Sequence, residues 1–363
     1  MKRISYKKFL AMLGENAYRQ DIPSIGCFEL TPLCNLDCKM CYVHLQDPSV
    51  KERMLSGEEW IGILENAIGR GMISALLTGG EAMTHPDFWR IYMYLIDRGV
   101  SVRIKTNGVL LTERNIERFR EYPPYMIDVS LYGCDSESYL AVTGSDVYEK
   151  VVANIHAAID AGLHLRLMIT PSSYMSPWTE RIMELARSFG VQVMVNSLLV
   201  EPNDDTGRTK KDFGLQQEET DRIFQKRDEL FPPNYMTPEE EQELYGNREK
   251  RADVSERGLY CNSGRTAFAI NWDGTMSPCL NFPRDVLLSY PLRDGFDTAW
   301  RQINEGIKNY TVPEKCHTCA CQTKCHYCPV QHSKTAARHE CDPEICAFWT
   351  HYYKEQNERK TKP

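Results

Sequence analysis

The sequence predicts an α/β chain: a partial (β/α)6 barrel followed by a smaller cysteine-rich region. Three observations carry that expectation. Strand-like and helix-like segments alternate from about residue 25 to residue 200, the order of a parallel sheet with helical crossovers. Several strand-like segments alternate apolar with polar residues, whereas strands covered by helices on both faces read as continuous apolar runs. Nine of the fourteen cysteines fall between Cys261 and Cys346, which marks two chemically different halves.

The strand candidates are 26–31, 74–79, 101–106, 125–131, 163–169 and 191–197. Arg103, Lys105 and Asn107 share one face of the third, and Asp128 and Ser130 one face of the fourth. In the fifth, Leu163, Leu165, Leu167 and Ile169 alternate with His164, Arg166 and Met168; in the sixth, Gln192, Met194 and Asn196 share a face. A curved sheet enclosing a polar cavity accounts for this, because barrel strands point alternate side chains in and out. An antiparallel sheet with one solvated face is the alternative, and the intervening helices disfavour it. Ser56 to Glu59 is a capping-box pattern opening a helix with Trp60, Ile63, Leu64 and Ala67 on one face. Tyr148, Val151, Val152, Ile155 and Ile159 form a second stripe, stopped at Gly162. Pro177 opens a third helix with Trp178, Ile182, Leu185 and Phe189, stopped at Gly190.

Residues 201–258 are rich in charge and poor in periodicity. They read as a solvated helical connector, with a lid over the cavity as the sharper alternative. The run AFAINWDGTMSPC predicts a β-hairpin turning at Asp273-Gly274. The expected plan is an N-terminal segment 1–24, a barrel 25–200, a connector 201–258, a cysteine-rich domain 259–350 and a polar tail 351–363. A net charge of -7 argues against a general nucleic-acid or anionic-membrane surface. No segment approaches the ~20 apolar residues of a membrane span. The apolar run Phe9 to Leu13 is too short for a signal-peptide core. A cytoplasmic location is expected. Clustered thiols in a reducing compartment then point to metal binding or catalysis.

Cys34, Cys38 and Cys41 lie in CNLDCKMCY, spaced C-x3-C-x2-C, at the C-terminal end of the first strand, where barrels hold ligands. A cubane iron–sulfur cluster normally takes four thiolates. A loop offering three leaves one iron open to a small molecule, as catalytic metals keep an open position. A structural zinc loop and three unrelated buried thiols are the blander alternatives.

With its neighbours, this loop resembles that of the radical S-adenosylmethionine (SAM) enzymes, whose fold is a partial TIM-type barrel. Thr78-Gly79-Gly80-Glu81 is similar to the family's GGE motif, whose backbone meets the methionine amino group. Thr106-Asn107-Gly108 and Ser130-Leu131-Tyr132-Gly133 are similar to segments that hold the SAM ribose and carboxylate. The resemblance implies SAM contacts from Tyr42, Gly79, Gly80, Glu81, Asn107, Ser130, Arg166 and Asn196, Tyr42 standing near adenine. For Arg166 a salt bridge to Asp128 or Glu29 is the structural alternative. Glu29, Lys105, Asp128 and Tyr132 are the candidates for proton transfer.

The C-terminal cysteines resemble the SPASM extension of that superfamily, which holds two auxiliary clusters. Cys261, Gly274 and Cys279 follow C-x12-G-x4-C; Cys316, Cys319, Cys325 and Cys328 follow C-x2-C-x5-C-x2-C, where the family usually ends in x3. The resemblance implies one cluster on Cys316, Cys319, Cys325 and Cys346, and another on Cys261, Cys279 and Cys328. Cys341 is the candidate fourth ligand of the latter, with Cys321 behind it and an open iron as the further alternative. A zinc ribbon is the alternative. Cys27 and Cys134 fit no cluster.

The activity implied is generation of a 5′-deoxyadenosyl radical that abstracts a hydrogen atom from the substrate, with SAM and three [4Fe-4S] clusters as cofactors. A ribosomally synthesised peptide is the expected substrate, crosslinked or oxidised. The alternatives are radical dehydrogenation of a small molecule, sulfatase-maturase-like oxidation of a protein, or a non-catalytic electron-transfer or zinc scaffold. Leu280 stands where the sulfatase-maturing branch places an Asp after the second SPASM cysteine, which lowers that reading. Some 25 residues precede the first strand, so either a separate protein is expected to supply leader binding or the substrate is small. A flavodoxin- or ferredoxin-type electron donor is also expected.

Overall fold

The computed structural model describes residues 5–43, 49–196, 199, 210–232, 261–319, 327–332, 340–343, 345–347 and 350–351. Much of the predicted connector, the tail, Cys321 and Cys325 lie outside these. The six predicted strands form at or near their expected spans: β1 Ile25–Glu29, β2 Ser74–Thr78, β3 Ser101–Thr106, β4 Met126–Ser130, β5 Leu165–Ile169 and β6 Gln192–Val195. All five pairings between neighbours are parallel. The order is β6-β5-β4-β3-β2-β1, and β7 (Ala267–Ile270) continues it beyond β1.

Helices α1 Tyr6–Arg19, α2 Val50–Arg53, α3 Gly57–Gly69, α4 Phe88–Asp97, α5 Glu113–Glu121, α6 Ser136–Thr143, α7 Tyr148–Asp160, α8 Thr179–Ser188 and α9 Gln217–Leu230 follow in chain order. The capping box opening α3 is present: Ser56 Oγ accepts from Glu59 N at 3.3 Å, and Glu59 Oε2 accepts from Ser56 N at 2.8 Å. The α3 stripe Trp60, Ile63, Leu64 and Ala67 is buried, with Trp60 edge-on to Phe28 of β1 at 6.2 Å. Burying each large apolar side chain contributes about 1.5–3 kcal/mol. In α7 the buried face is Val151, Ile155 and Ala158, while Val152 and Ile159 are half-buried. Pro177 sits in a 3-10 turn, Ser176–Trp178, and the α-helix starts after it.

The alternation read from the strands separates the two faces of the sheet. Phe28, Leu77, Ile104, Ile127, Val129, Leu167 and Ile169 are fully buried on the apolar face. Register aligns Lys105 with Asp128, Asp128 with Arg166, and Arg166 with Gln192 in one row across the polar face.

Two compact units divide the chain: residues 25–233 with 269–275, and residues 1–24, 234–268 and 276–363. In the first, α9 packs along α8 through Arg222–Glu180 (3.3 Å) and Lys226–Glu184 (3.4 Å), and buries Ile223 and Phe224. The predicted Asp273-Gly274 turn forms as well. Gly274 N donates to Asn271 O at 2.8 Å, Asn271 N donates to Thr275 O at 2.8 Å, and Gly274 adopts φ +81°. In the second unit, α1 joins the C-terminal region: Arg265 lies 4.1 Å over Tyr18, and Trp300 Nε1 donates to Asp21 O at 2.7 Å. Helix Phe296–Asn309 buries Phe296, Ala299, Trp300, Ile303 and Ile307, and Phe268 packs on both Phe296 and Trp300.

Candidate active site

The three-cysteine loop leaves β1 and is stitched down on two sides. Gly80 N donates to Thr31 O at 2.8 Å, and Glu81 N to Leu33 O at 2.9 Å. Asp37 N and Lys39 N donate to Thr143 O and Val142 O at the end of α6, both at 3.0 Å. The glycines of the GGE motif make the first seam possible. A Cβ on Gly79 would stand 2.3 Å from Thr31 O, and one on Gly80 2.4 Å from Leu33 O. Gly79 also adopts φ +151°. These glycines admit the strand-like segment that aims the loop, a reason that the motif alone does not reveal.

Glu81 has a second task. Its carboxylate, 1% exposed, accepts from Thr106 Oγ1 at 2.9 Å and Asn107 N at 2.8 Å, clamping the end of β3. Burial pushes its carboxyl up to about 7, against those hydrogen bonds. Asn107, so held, donates from Nδ2 to Asn35 Oδ1 at 2.7 Å, with Cys34 Sγ 3.6 Å away. Leu36 N donates to Cys34 Sγ at 3.4 Å. The Tyr132 hydroxyl hydrogen-bonds the Cys38 sulfur. Tyr132 is in turn held by Ser130.

The three sulfurs lie within electrostatic reach of one another. Burial pushes Cys34 up to about 11; burial, then Cys41 and Cys34, hold Cys38 well above its ordinary range. As free thiols Cys34 and Cys38 are therefore protonated. Among the described residues no three Cys, His or acidic side chains converge on a single-ion site. A cluster asks for no such convergence, because each thiolate binds at its own iron.

Beyond the loop, Asp128 is 1% exposed and bound twice. Arg166 engages it through Nε (2.8 Å) and Nη2 (3.0 Å), and Arg103 Nη2 reaches Oδ2 at 2.7 Å. Arg166 thus takes the structural partner foreseen for it, and Arg103 is a second partner that sequence reading missed. Glu29 is buried and lies within 3.4 Å of Trp272 N in the hairpin turn. Glu29, Lys105 and Arg103 surround Cys27, whose thiol burial pushes up to about 12. Lys105, Tyr42, Ser130 and Asn196 are half-buried; Asn196 N donates to Ile169 O at 2.7 Å.

In the second unit the cysteines sort into neighbourhoods. Cys328 lies within reach of Cys261. Cys341 Sγ donates to Asp342 O at 3.7 Å, and Cys341 is buried in one apolar cluster with Cys316, against which Cys346 packs. Beside it, Asp342 N donates to His332 Nδ1 at 2.9 Å and Cys346 N to Asp342 O at 3.0 Å. Cys279 packs against the apolar cluster that buries Cys316 and Cys341.

A parallel barrel with a three-thiol loop at the C-terminal ends of its strands defines a SAM-radical class of site. Residues 28–187 match the family model of the Radical SAM superfamily, and the chain carries a radical SAM domain there. A probable GTP 3′,8-cyclase of Sulfurisphaera tokodaii is 36% identical over 135 residues, 37% of this chain and 42% of that protein. An AdoMet-dependent heme synthase of Methanosarcina barkeri is 29% identical over 46% of this chain and 48% of its own length. The chain thus spans about half the length of these two relatives. AlbA of Bacillus subtilis, an antilisterial bacteriocin subtilosin biosynthesis protein, is 22% identical over 87% of this chain and 72% of its own. Streptococcus suis SuiB bound to S-adenosylmethionine shares the fold across 92% of this chain and 80% of its own, with a TM-score of 0.67 at 17% identity.

The family uses SAM and a [4Fe-4S] cluster, and the loop fits them. Its donors are three soft thiols, and the sulfur neighbours of Cys34 and Cys38 are each other and Cys41. Three thiolates for four irons leaves one corner for an exogenous ligand.

Proposed function

We propose that the chain is a peptide-modifying radical SAM enzyme with two auxiliary clusters of the SPASM type. The observation that carries the reading is the loop of Cys34, Cys38 and Cys41, a set one thiolate short of a closed cubane, held at the ligand end of a polar-lined barrel. When bound, SAM and the loop cluster supply a 5′-deoxyadenosyl radical that takes a hydrogen atom from the substrate. The protein's own residues position and shield. Cys34, Cys38 and Cys41 hold the cluster. Gly79, Gly80 and Glu81 fix the loop, and with Tyr42, Asn107, Ser130 and Asn196 they surround SAM. Asp128, bound by Arg166 and Arg103, orders the polar row. Glu29, Lys105 and Tyr132 are the groups near the cavity that hold or move a proton.

A peptide substrate is supported by AlbA, whose likeness extends over 346 residues, and by SuiB, which has also been solved bound to its precursor peptide SuiA with a TM-score of 0.66. The cyclase match stays within 37% of the chain. A separate leader-binding protein and a flavodoxin- or ferredoxin-type donor complete the reaction, in the cytoplasm. No described helix is long and apolar enough to cross a membrane.

The test is anaerobic reconstitution. About twelve irons per chain are expected, with 5′-deoxyadenosine formed from SAM and dithionite, and a mass change in a candidate precursor peptide. Zinc in place of iron, or no SAM cleavage, overturns the reading; cleavage coupled only to small molecules overturns the peptide part.

A further inference from the structure

Resting on the peptide reading, we propose that Lys105 anchors a carboxylate of the peptide substrate on the polar face of the barrel. The proton that Lys105 holds is the one it offers to that carboxylate.

Its place in the strand fixes its direction. Arg103 and Lys105 are the half-buried positions of β3 and alternate with the buried Val102, Ile104 and Thr106. Asn107, two residues nearer the loop on the same face, donates to Asn35 Oδ1 at 2.7 Å. Two strand residues span about 6.6 Å, so Lys105 lies one side-chain layer deeper than the group that touches the cluster loop.

Among the charged side chains of this face Lys105 stands apart. Asp128 is already claimed: Arg166 grips it through Nε at 2.8 Å and Nη2 at 3.0 Å, and Arg103 Nη2 reaches it at 2.7 Å. Glu29 faces Trp272 N of the hairpin turn. Lys105 is in register with Asp128, yet among the described residues no carboxylate takes its ammonium in an ion pair. The surroundings are positive as well. Arg103 and Lys105 both lie within electrostatic reach of Cys27, and Arg103 Nε is buried with no hydrogen-bond acceptor among the described residues.

A half-buried ammonium without a counter-ion is costly, and a cleft carrying one sign of charge draws ligands of the other. A carboxylate answers both conditions. It accepts a charge-assisted hydrogen bond from Lys105 Nζ and offsets the field of Arg103. An amide or a cationic side chain leaves that field unanswered. A peptide offers two such groups, the side chain of Asp or Glu and the C-terminus.

Selection from a random heptapeptide library tests the anchor. One bead set carries the peptides linked through their C-termini. A second carries them linked through their N-termini, with free C-termini and no Asp or Glu. Each is exposed anaerobically to full-length reconstituted holoenzyme with SAM and no reductant, so that SAM stays intact. Asp or Glu enriched at one position of the first set assigns the side chain; capture from the second set alone assigns the C-terminus. Replacing the selected carboxylate by its amide should weaken binding about 10- to 100-fold. The same replacement should change little in Lys105→Met, Lys105→Arg should keep the preference, and Lys105→Glu should turn it toward Lys and Arg. About twelve irons per chain in each variant controls for folding. The amide exchange needs no protein variant, so it reads out even where a substitution unfolds the chain. Selection indifferent to carboxylates, or a preference that survives in Lys105→Met, overturns the anchor. So does a fall in SAM affinity in Lys105→Met, by equilibrium dialysis, with the carboxylate preference intact, because Lys105 then serves SAM. Holoenzyme that cleaves SAM with dithionite yet enriches no peptide defeats the peptide reading and this anchor with it; enrichment of peptides without a carboxylate defeats the anchor alone.

Discussion

The two cysteine neighbourhoods are built on opposite principles. In the barrel, Cys34, Cys38 and Cys41 sit on a loop between strand ends and are addressed by polar groups: Asn107 toward Cys34, Tyr132 toward Cys38. In the C-terminal unit, Cys316 and Cys341 lie in an apolar cluster, and the chain around them folds back through Asp342 and His332. A set short by one thiolate needs its surroundings to recognise what fills the vacancy, so its walls are polar. The apolar residues around Cys316 and Cys341 exclude water instead.

The largest expected effect comes from the open set. Cys34→Ala should abolish 5′-deoxyadenosine formation, followed by chromatography, and remove about four irons, leaving the C-terminal clusters in place. Retained turnover would erase the contrast. Next is Asp128→Ala. It leaves Arg166 and Arg103 without their shared carboxylate, and breaking a buried pair typically costs about 3–5 kcal/mol. Arg103 is a third exposed, so the low end is expected by denaturant unfolding; Asp128→Asn should cost less.

Glu81 gives a pH signature. Its folded pKa, about 7, lies above the ordinary 4.5, so the native state holds the proton longer than the unfolded chain. Its favourable share is therefore present below about pH 4.5 and is lost as pH rises through 7, a swing of roughly 3 kcal/mol in the metal-free protein. Glu81→Gln should flatten that slope in unfolding measured from pH 5 to 8. An unchanged slope would show that Glu81 titrates normally. The smallest effect belongs to the surface: breaking Arg222–Glu180 with Arg222→Ala should shift unfolding by at most about 0.5 kcal/mol.

Much of this was legible because local rules act alone. Alternation in β3 to β5 placed Arg103, Lys105, Asp128 and Arg166 on the polar face. The Ser56–Glu59 box and the Asp273-Gly274 turn need no tertiary partner. What escaped depends on register and return of the chain. Glu81 clamps Thr106 and Asn107 only because β2 and β3 run parallel side by side. Gly79 and Gly80 are required by the backbone of Thr31 to Leu33, some fifty residues earlier in the chain. That Cys341 shares one buried apolar cluster with Cys316 likewise depends on where the chain returns, which spacing does not show. Ile223 and Phe224 gave α9 a buried face too short to register as periodicity in a charged stretch.

The vacancy on the barrel loop is tested most directly by pulsed EPR of the dithionite-reduced protein with SAM labelled with 15N at the methionine amino group. A 15N coupling to the loop cluster, kept in the Cys316→Ala/Cys261→Ala variant and lost in Cys34→Ala, is the predicted result. A reduced loop cluster whose spectrum carries no such coupling would contradict it.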